Sequence, residues 1–340
     1  MEAEHLSKVF PINQARFLGS ARGVHAVEDT SLALYPGRAT ALVGESGSGK
    51  TTVARMLARL YEPTSGTIRF RGTPLKQGSE ALHDYRRHVQ LIFQDPFSSL
   101  NPIHTVRYHL SRPLRVYGHI HNNEEEVTRI IALLNRVSLT PAEQFILKYP
   151  HQLSGGQRQR IAIARALAVQ PDILLADEPV SMLDVSIRLD ILNLLLRLKN
   201  EEHLALLFIT HDIASARYFA EDTLVMYAGQ MVEGGPSEEI TQNPRHPYTQ
   251  LLLSAAPDPD RIQSGNKQTT EIPARGEIPS LITPPKGCRF HPRCPHAMPI
   301  CKERFPARTD LGNNHWTNCF LYGDGEQKAS PSAHLPVQAE

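Results

Sequence analysis

The stretch "GESGSGKTT", residues 44–52, decides the fold of this 340-residue chain. It satisfies the pattern G-x-x-x-x-G-K-[ST], a loop whose backbone N–H groups surround phosphate. The apolar run "ATALV" at 39–43 precedes it, and "KTTVARMLARL" at 50–60 follows with apolar residues at helical spacing. A buried strand, a glycine-rich loop and a helix in this order predict a nucleotide-binding P-loop.

The residue types in this loop suit ATP and a magnesium ion. Glycines let backbone N–H groups approach phosphate without a Cβ in the way. Lys50 is placed to reach the β and γ phosphates, and the Thr51 hydroxyl is a ligand for Mg²⁺. The loop residues predicted to bind nucleotide are Gly44, Glu45, Ser46, Gly47, Ser48, Gly49, Lys50, Thr51 and Thr52.

Further apolar runs predict a mostly parallel sheet with both faces covered by helices. Polar alternation in "HAVEDTSLAL" at 25–34 predicts an edge strand instead. No strand pattern occurs between Gln94 and Leu153, where "EEEVTRIIALLNRV" predicts an amphipathic helix, so we expect a helical subdomain at about 95–160. The predicted core strands are 89–93, 172–177, 204–210 and 223–227, and helices are predicted at 157–169 and 186–200.

Composition and charge limit the possible partners. The net charge is +1, with 36 Lys and Arg against 35 Asp and Glu, which argues against a nucleic-acid partner. We find no apolar run long enough to span a bilayer and no secretory signal, so we expect a cytoplasmic chain.

Two acidic residues end a predicted core strand in "ILLADE", residues 173–178. The strand would present Asp177 to the magnesium ion and Glu178 to the attacking water, which it would orient and deprotonate. Acidic pairs also start turns and cap helices, and the position downstream of a P-loop favours the catalytic interpretation.

A second glycine-rich loop, "LSGGQ" at 153–157, opens a predicted helix. Ser154 with two following glycines at a helix N-terminus forms another anion site, too distant along the chain to belong to the first loop. Followed by "RQRIAIARAL", it resembles the signature motif of ATP-binding cassette (ABC) ATPases. In that family two subunits pack head to tail, and each signature completes its partner's ATP site. The residues implied are Ser154, Gly155, Gly156 and Gln157.

The resemblance implies further site residues. Gln94 in "IFQDP" is similar to the glutamine that touches magnesium and water, and His211 in "FITHD" to the histidine that contacts the γ phosphate. Asp184 in "SMLD" resembles a dimer-interface aspartate, although Met182 departs from the usual alanine. Phe10 would stack on adenine. The implied catalytic residues are therefore Lys50, Gln94, Glu178 and His211, with Thr51, Gln94 and Asp177 at the magnesium.

The resemblance covers about residues 4–255 and implies an α/β fold. This is the P-loop NTPase ABC cassette, with a mostly parallel core sheet, an antiparallel β subdomain and a helical subdomain, assigned here to 1–255. ATP binding would join two cassettes and hydrolysis would release them. A chain without membrane segments then needs partners: a second, non-identical ATPase subunit, two transmembrane permease subunits and, indirectly, an extracytoplasmic substrate-binding protein.

The C-terminal part resembles the extension of the oligopeptide, dipeptide and nickel importer ATPases. The similarity lies in "NPRHPYTQLLLSA" at 243–255 and "GCRFHPRCPHAMPIC" at 287–301, and the insertion at 11–23 resembles the second-type ATPase of such systems. We assign 256–324 to this extension and expect 325–340 to be disordered. An ATPase of a peptide importer on the cytoplasmic face of the inner membrane is implied. Oligosaccharide or nickel import, and a non-transport ATPase acting on nucleic acid or ribosomes, are the alternatives.

All four cysteines of the chain lie in this extension. In the resembled family these positions are associated with a [4Fe-4S] cluster, and four thiolates are the ligand set of such a cluster. Four thiolates also suit zinc, although the short C-x₂₋₄-C spacing of structural zinc sites is absent. Reduced structural cysteines are the third reading. The residues concerned are Cys288, Cys294, Cys301 and Cys319.

Overall fold

The computed structural model describes residues 1–12, 23–76, 78–255 and 276–323. The disordered tail predicted at 325–340 lies outside the described residues, as does nearly all of the 11–23 insertion.

An eight-stranded sheet forms the core of the chain. The strands follow the order β11-β12-β10-β9-β3-β8-β7-β6 across this sheet. Their bounds are β3 Ala39–Val43, β6 Val89–Ile92, β7 Ile173–Asp177, β8 Ala205–Thr210, β9 Asp222–Tyr227, β10 Gln230–Pro236, β11 Thr309–Asp310 and β12 Trp316–Thr317.

The five strands β6, β7, β8, β3 and β9 are parallel, as the apolar runs predict. Every residue of β3, β7 and β8 is buried, because helices cover both faces of the sheet. Parallel strands all end at the same edge of a sheet. The loops that follow β3, β6, β7 and β8 therefore meet along one edge, and these loops carry the P-loop, Gln94, Glu178 and His211.

A second, four-stranded sheet is antiparallel, with the order β2-β1-β4-β5. Strand β2 covers all but the last residue of the stretch predicted as an edge strand at 25–34, and it does lie at the edge of this sheet. The predicted antiparallel β subdomain is therefore confirmed. The strand bounds are β1 Glu2–Pro11, β2 Gly23–Ala33, β4 Ser65–Phe70 and β5 Thr73–Pro74.

Helices pack on the sheets and form the predicted helical subdomain. In that subdomain Leu110, Ile130 and Leu134 are fully buried, because each lies on the apolar face of an amphipathic helix. The helix bounds are α1 Lys50–Leu57, α2 Ser79–His88, α3 Pro96–Ser99, α4 Val106–Val116, α5 Asn123–Arg136, α6 Glu143–Ile146, α7 Gly155–Leu167, α8 Val185–Glu202, α9 Ile213–Phe219, α10 Ser237–Gln242 and α11 Pro247–Ser254.

The C-terminal extension adds strands to the core sheet. Strand β12 pairs antiparallel with β10, with Thr317 opposite Glu233 and Trp316 opposite Gly234. Glu233 is fully buried and accepts three hydrogen bonds, from the backbone N–H groups of Arg245 and His246 at 2.7 and 2.9 Å and from the His315 ring at 2.7 Å. This carboxylate thus joins β10, the start of α11 and the β11–β12 hairpin.

Among the described residues, none of the helices combines the length and the apolar character needed to cross a bilayer.

We expect Glu233→Gln to lower the free energy of unfolding by about 2 kcal/mol or more, since an amide NH₂ in place of one carboxylate oxygen leaves buried donors without an acceptor. Urea unfolding followed through Trp316, the single tryptophan, measures the loss. Glu238→Gln is the matched control, because Glu238 forms an exposed ion pair with Arg217 and its loss is expected to change stability by less than about 1 kcal/mol. Equal stabilities of the two variants would contradict this role of Glu233.

Candidate active site

The P-loop joins β3 to α1 through two positions that only glycine fits. Gly49 has φ 105°, and a Cβ there would lie 2.4 Å from the backbone oxygen of Ala26. A Cβ on Gly44 would lie 2.1 Å from the backbone oxygen of Met226. The loop is therefore packed tightly against neighbouring backbone, and it leads directly into the first turn of α1, whose N–H groups have no acceptors within the helix.

Lys50 lies inside this loop with only 4% of its surface exposed. Its ammonium donates to the backbone oxygens of Gly44 at 2.7 Å and Glu45 at 2.8 Å. Burial lowers the pKa of Lys50, while the nearby carboxylates of Glu178 and Asp177 raise it. The cation is thus placed beside the phosphate-binding backbone, and its partners, two carbonyl oxygens and the Ser48 hydroxyl at 3.4 Å, are neutral.

Thr51 and Asp177 form the part of the site suited to a magnesium ion. The Thr51 hydroxyl donates to Oδ1 of Asp177 at 2.9 Å, bringing together the start of α1 and the end of β7. Asp177 is 2% exposed, and burial raises its pKa, against the hydrogen bond from Thr51, which lowers it. A hydroxyl and a carboxylate are the hard oxygen ligands that Mg²⁺ prefers, so the donor set fits the ion.

Three of the predicted catalytic residues meet at one carboxylate oxygen. Oε2 of Glu178 accepts a hydrogen bond from the Gln94 amide at 3.1 Å and lies 3.4 Å from Nδ1 of His211. Glu178 has φ 45°, a left-handed conformation that is strained for a residue with a side chain and common at functional sites. Among the described residues no hydrogen bond reaches its other oxygen, Oε1, which is therefore free to accept a proton.

The second glycine-rich loop forms the start of α7. Ser154 caps this helix, because its hydroxyl accepts from the N–H of Gln157 at 3.2 Å while the Gln157 side chain accepts from the N–H of Ser154 at 3.1 Å. A Cβ on Gly156 would lie 2.6 Å from Cγ2 of Ile187 in α8. Within the described parts of the chain, no hydrogen bond joins 153–157 to 44–52. The two loops of one chain are separate sites.

Asp184 and Phe10 lie outside the cluster around Glu178. Asp184 is the exposed residue before α8. Phe10 lies at the end of β1, edge-to-face with the Tyr61 ring at 5.2 Å and 5.1 Å from the Lys8 ammonium. Contacts of Asp184 with a partner cassette and of Phe10 with adenine remain predictions.

An open cleft of about 620 Å³ adjoins the magnesium position. Gln94 and Asp177 line it beside Arg55 and Arg165, and the exposed rings of Phe93 and Phe97 lie on the same stretch of chain. The cleft therefore runs from the catalytic edge of the sheet to the helical subdomain.

The four cysteines line one small cavity of about 20 Å³ in the extension. Three of their sulfurs accept hydrogen bonds from backbone N–H groups two residues later in the chain. Burial raises the pKa of Cys288 to about 12 and that of Cys319 to about 11. In the described chain, no group of three or more His, Cys, Asp or Glu side chains is arranged to hold a single metal ion.

Sequence reasoning missed two residues that touch the P-loop. The Tyr248 hydroxyl accepts from the N–H of Glu45 at 2.8 Å, and the Arg293 guanidinium donates to the Glu45 carboxylate at 2.8 Å. These partners are 203 and 248 residues apart in the chain, so no local pattern signals them. The N–H of Glu45 is thus already bonded to protein.

Comparison with known families agrees with the geometry. Residues 27–181 match the family described as "ABC transporter", and residues 232–301 match "Oligopeptide/dipeptide transporter, C-terminal region". The solved ATP-binding cassette MJ0796, a dimer in a post-hydrolysis state bound to ADP and Pi, superposes with a TM-score of 0.61 and 30% identity, covering 69% of this chain and 98% of that one.

Curated relatives match over nearly the whole chain. The oligopeptide transport ATP-binding protein AppF of Bacillus subtilis is 43% identical over 95% of this chain and 97% of its own length. The dipeptide transport ATP-binding protein DppF of Haemophilus influenzae is 41% identical over 94% of this chain and 96% of its own.

We expect Asp177→Asn to raise the melting temperature of the nucleotide-free protein at pH 7 in EDTA. Because burial raises the pKa of Asp177, its ionised form destabilises the fold, and the neutral amide removes that penalty. The difference from the unaltered chain disappears as the pH falls through the raised pKa towards the ordinary value of 3.8, since the carboxyl is then neutral too.

Differential scanning fluorimetry between pH 8 and pH 4 measures this difference. Asp84→Asn is the control, because 77% of the Asp84 side chain is exposed. The melting temperature of this variant should equal that of the unaltered chain. A lower melting temperature of Asp177→Asn at pH 7 would contradict the burial penalty.

The same variant is expected to lose magnesium-dependent ATP hydrolysis, measured by phosphate release.

Proposed function

The chain belongs to the ABC transporter ATPases, and on that premise we propose that it is the ATP-hydrolysing subunit of a peptide importer. One observation carries the proposal: a P-loop lysine, a threonine–aspartate pair and a glutamate held by glutamine and histidine meet at one edge of the sheet. The match of 232–301 to the oligopeptide/dipeptide transporter extension, and relatives named for oligopeptide and dipeptide transport, support peptides as the cargo.

Each site residue has a role in this proposal. Lys50 and the N–H groups at the start of α1 bind the phosphates, and Thr51 and Asp177 would hold magnesium, which neutralises phosphate charge when bound. Gln94 and His211 hold Oε2 of Glu178, which leaves Oε1 to orient the attacking water and accept its proton. Phe10 would stack on adenine.

The signature loop supplies the rest of the site in trans. Ser154, Gly155 and Gly156 lie at the N-terminus of α7, where helix geometry favours an anion, but they are separate from the P-loop of the same chain. We therefore assign them to the γ phosphate held by a partner cassette, with Asp184 at the same interface. ATP would then join two cassettes, and hydrolysis would release them.

The working assembly follows from this division of labour. We assign two permease subunits, a second and non-identical ATPase subunit and, indirectly, an extracytoplasmic substrate-binding protein as partners. The chain would lie peripherally on the cytoplasmic face of the inner membrane. We retain the division into a cassette at 1–255 and an extension at 256–324.

We also propose that the four cysteines hold a [4Fe-4S] cluster. They line one cavity, and three of the four sulfurs accept backbone hydrogen bonds, which offset part of the rise in thiol pKa that burial causes. A cubane needs one thiolate on each of four iron atoms, so its ligands surround a cavity and need not meet at one point. The cluster would be structural or regulatory and would take no part in the hydrolysis step itself.

Uptake by cells of the source organism that lack this chain tests the transport proposal. We expect uptake of labelled di- and oligopeptides to be lost, and restored by the unaltered chain but not by Glu178→Gln, whose ATP hydrolysis should fall by about 10²–10⁴-fold with the loss of the general base. Glu201→Gln, an exposed surface change, is the control and should restore uptake.

Other outcomes of this experiment are informative. Loss of nickel or oligosaccharide uptake with peptide uptake intact would show that the cargo is nickel or an oligosaccharide and not a peptide. Intact uptake of all three, with ATPase activity stimulated by DNA or ribosomes, would contradict a role in transport.

Anaerobic purification tests the cluster. We expect four iron and four sulfide ions per chain and a broad band of visible absorbance, all lost in Cys288→Ser and Cys319→Ser. Elemental analysis that finds one zinc ion, or no metal, would overturn the assignment in favour of zinc or of reduced structural cysteines.

A further inference from the structure

The P-loop residue Glu45 is held through all three of its polar groups. Its backbone oxygen accepts from the Lys50 ammonium at 2.8 Å, and its N–H donates to the Tyr248 hydroxyl at 2.8 Å. Its carboxylate accepts from Arg293 at 2.8 Å. One bond stays inside the P-loop and the other two come from residues within the 232–301 match.

Tyr248 and Arg293, the two partners of Glu45 outside the P-loop, are buried, and both contact Tyr227. Tyr248 is fully buried, and only 8% of the Arg293 side chain is exposed. Arg293 also donates to the Tyr227 hydroxyl at 3.3 Å, and the Tyr227 ring packs against Tyr248 with 4.6 Å between centroids. A guanidinium with this little freedom fixes the position of whatever it binds.

Arg293 belongs to the short loop between Cys288 and Cys294. A second arginine of this loop also contacts the part of the protein that supports the P-loop. Arg289 of the same loop is 2% exposed and donates to the backbone oxygen of Ala228 and to Glu28. Gly229, the residue after Ala228, donates its N–H to the backbone oxygen of Ser48 at 2.8 Å. The cysteine loop thus reaches the P-loop both directly and through the turn after β9.

The charge of Glu45 bears on the nucleotide. Glu45 is itself a P-loop residue and its backbone oxygen lies 2.8 Å from the Lys50 ammonium, so its carboxylate lies near the position of an incoming triphosphate. An unpaired carboxylate there would repel the phosphates. Arg293 neutralises it in a largely buried pair, where charge pairing is screened little by solvent.

We propose that Arg293 and Tyr248 are positioning residues for ATP binding, through which the region 232–301 holds the P-loop in its phosphate-binding shape and neutralises Glu45. The inference rests on the ATP site of the proposed function. A loop fixed in advance loses less conformational entropy when ATP binds, and Lys50 can transfer from the Glu45 carbonyl to the phosphates without the loop collapsing around it. The effect falls on nucleotide affinity, because neither residue touches the cluster around Glu178.

Equilibrium binding of ATP and of a fluorescent ATP analogue to the full-length chain tests this inference. We expect Arg293→Gln to weaken ATP binding about tenfold, equivalent to about 1.4 kcal/mol, and to raise KM with kcat changed less than about twofold. Arg293→Lys should recover part of the affinity, since it restores the charge but not the paired geometry. Tyr248→Phe should weaken binding by a smaller factor.

The double variant Glu45→Gln with Arg293→Gln distinguishes the loss of charge neutralisation at Glu45 from damage to the fold. If Arg293 acts by neutralising Glu45, the double variant binds ATP more tightly than Arg293→Gln alone, whereas damage to the fold would add to the loss. Arg217→Gln, which removes an exposed ion pair of 3.0 Å with Glu238, is the matched control and should bind ATP normally.

The unaltered chain is measured first, so a failure of the ATP site itself is seen before any variant. Binding of Arg293→Gln within twofold of the unaltered chain would overturn the proposal. So would a double variant as weak as, or weaker than, Arg293→Gln. Equal metal content in all variants shows that a loss of affinity does not come from the cysteine site.

Discussion

The active site depends on one constraint, the parallel alignment of buried strands in the core sheet. Leu42 of β3 lies beside Ile209 of β8, and Asp177 of β7 lies beside the same residue on its other side. Because three neighbouring strands end together, the P-loop, the acidic pair and the histidine loop emerge at one edge. A shift of one residue in either register would move every side chain of the strand to the opposite face of the sheet and separate Lys50 from its carboxylates. The chemistry of the site is therefore a consequence of how the apolar strands pack.

The sequence predicts this part well for the same reason. "ATALV" is β3 with identical bounds, and the strand predicted at 172–177 differs from β7 by one residue. Strands buried on both faces must be apolar throughout, and their ends must carry polar residues, so their pattern is local and strong. Helix α2 shows the opposite case. Tyr85 is its only buried residue and most of its other residues are polar, so too few apolar side chains mark its inward face in the sequence.

Contacts between distant segments could not be predicted. Strands β11 and β12 have two residues each, too few for a pattern, and β12 is fixed by a partner 84 positions earlier. The cysteines were recognisable as a group from their clustering, but nothing local indicated that the loop carrying them also binds Glu45. In this chain, the sequence reports the elements that bury apolar surface and is silent about the polar bonds that tie the extension to the cassette.

The pairing of β12 with β10 also bears on how the protein can be divided. A cut after residue 255 follows the division predicted from the sequence, yet it would remove β12 from β10 and leave N–H and C=O groups of a buried strand facing water. Strands of other molecules can pair with such an exposed sheet edge. A shortened cassette would be expected to self-associate through this edge, and a hybrid that exchanges extensions between relatives would need to carry both halves of the pairing together.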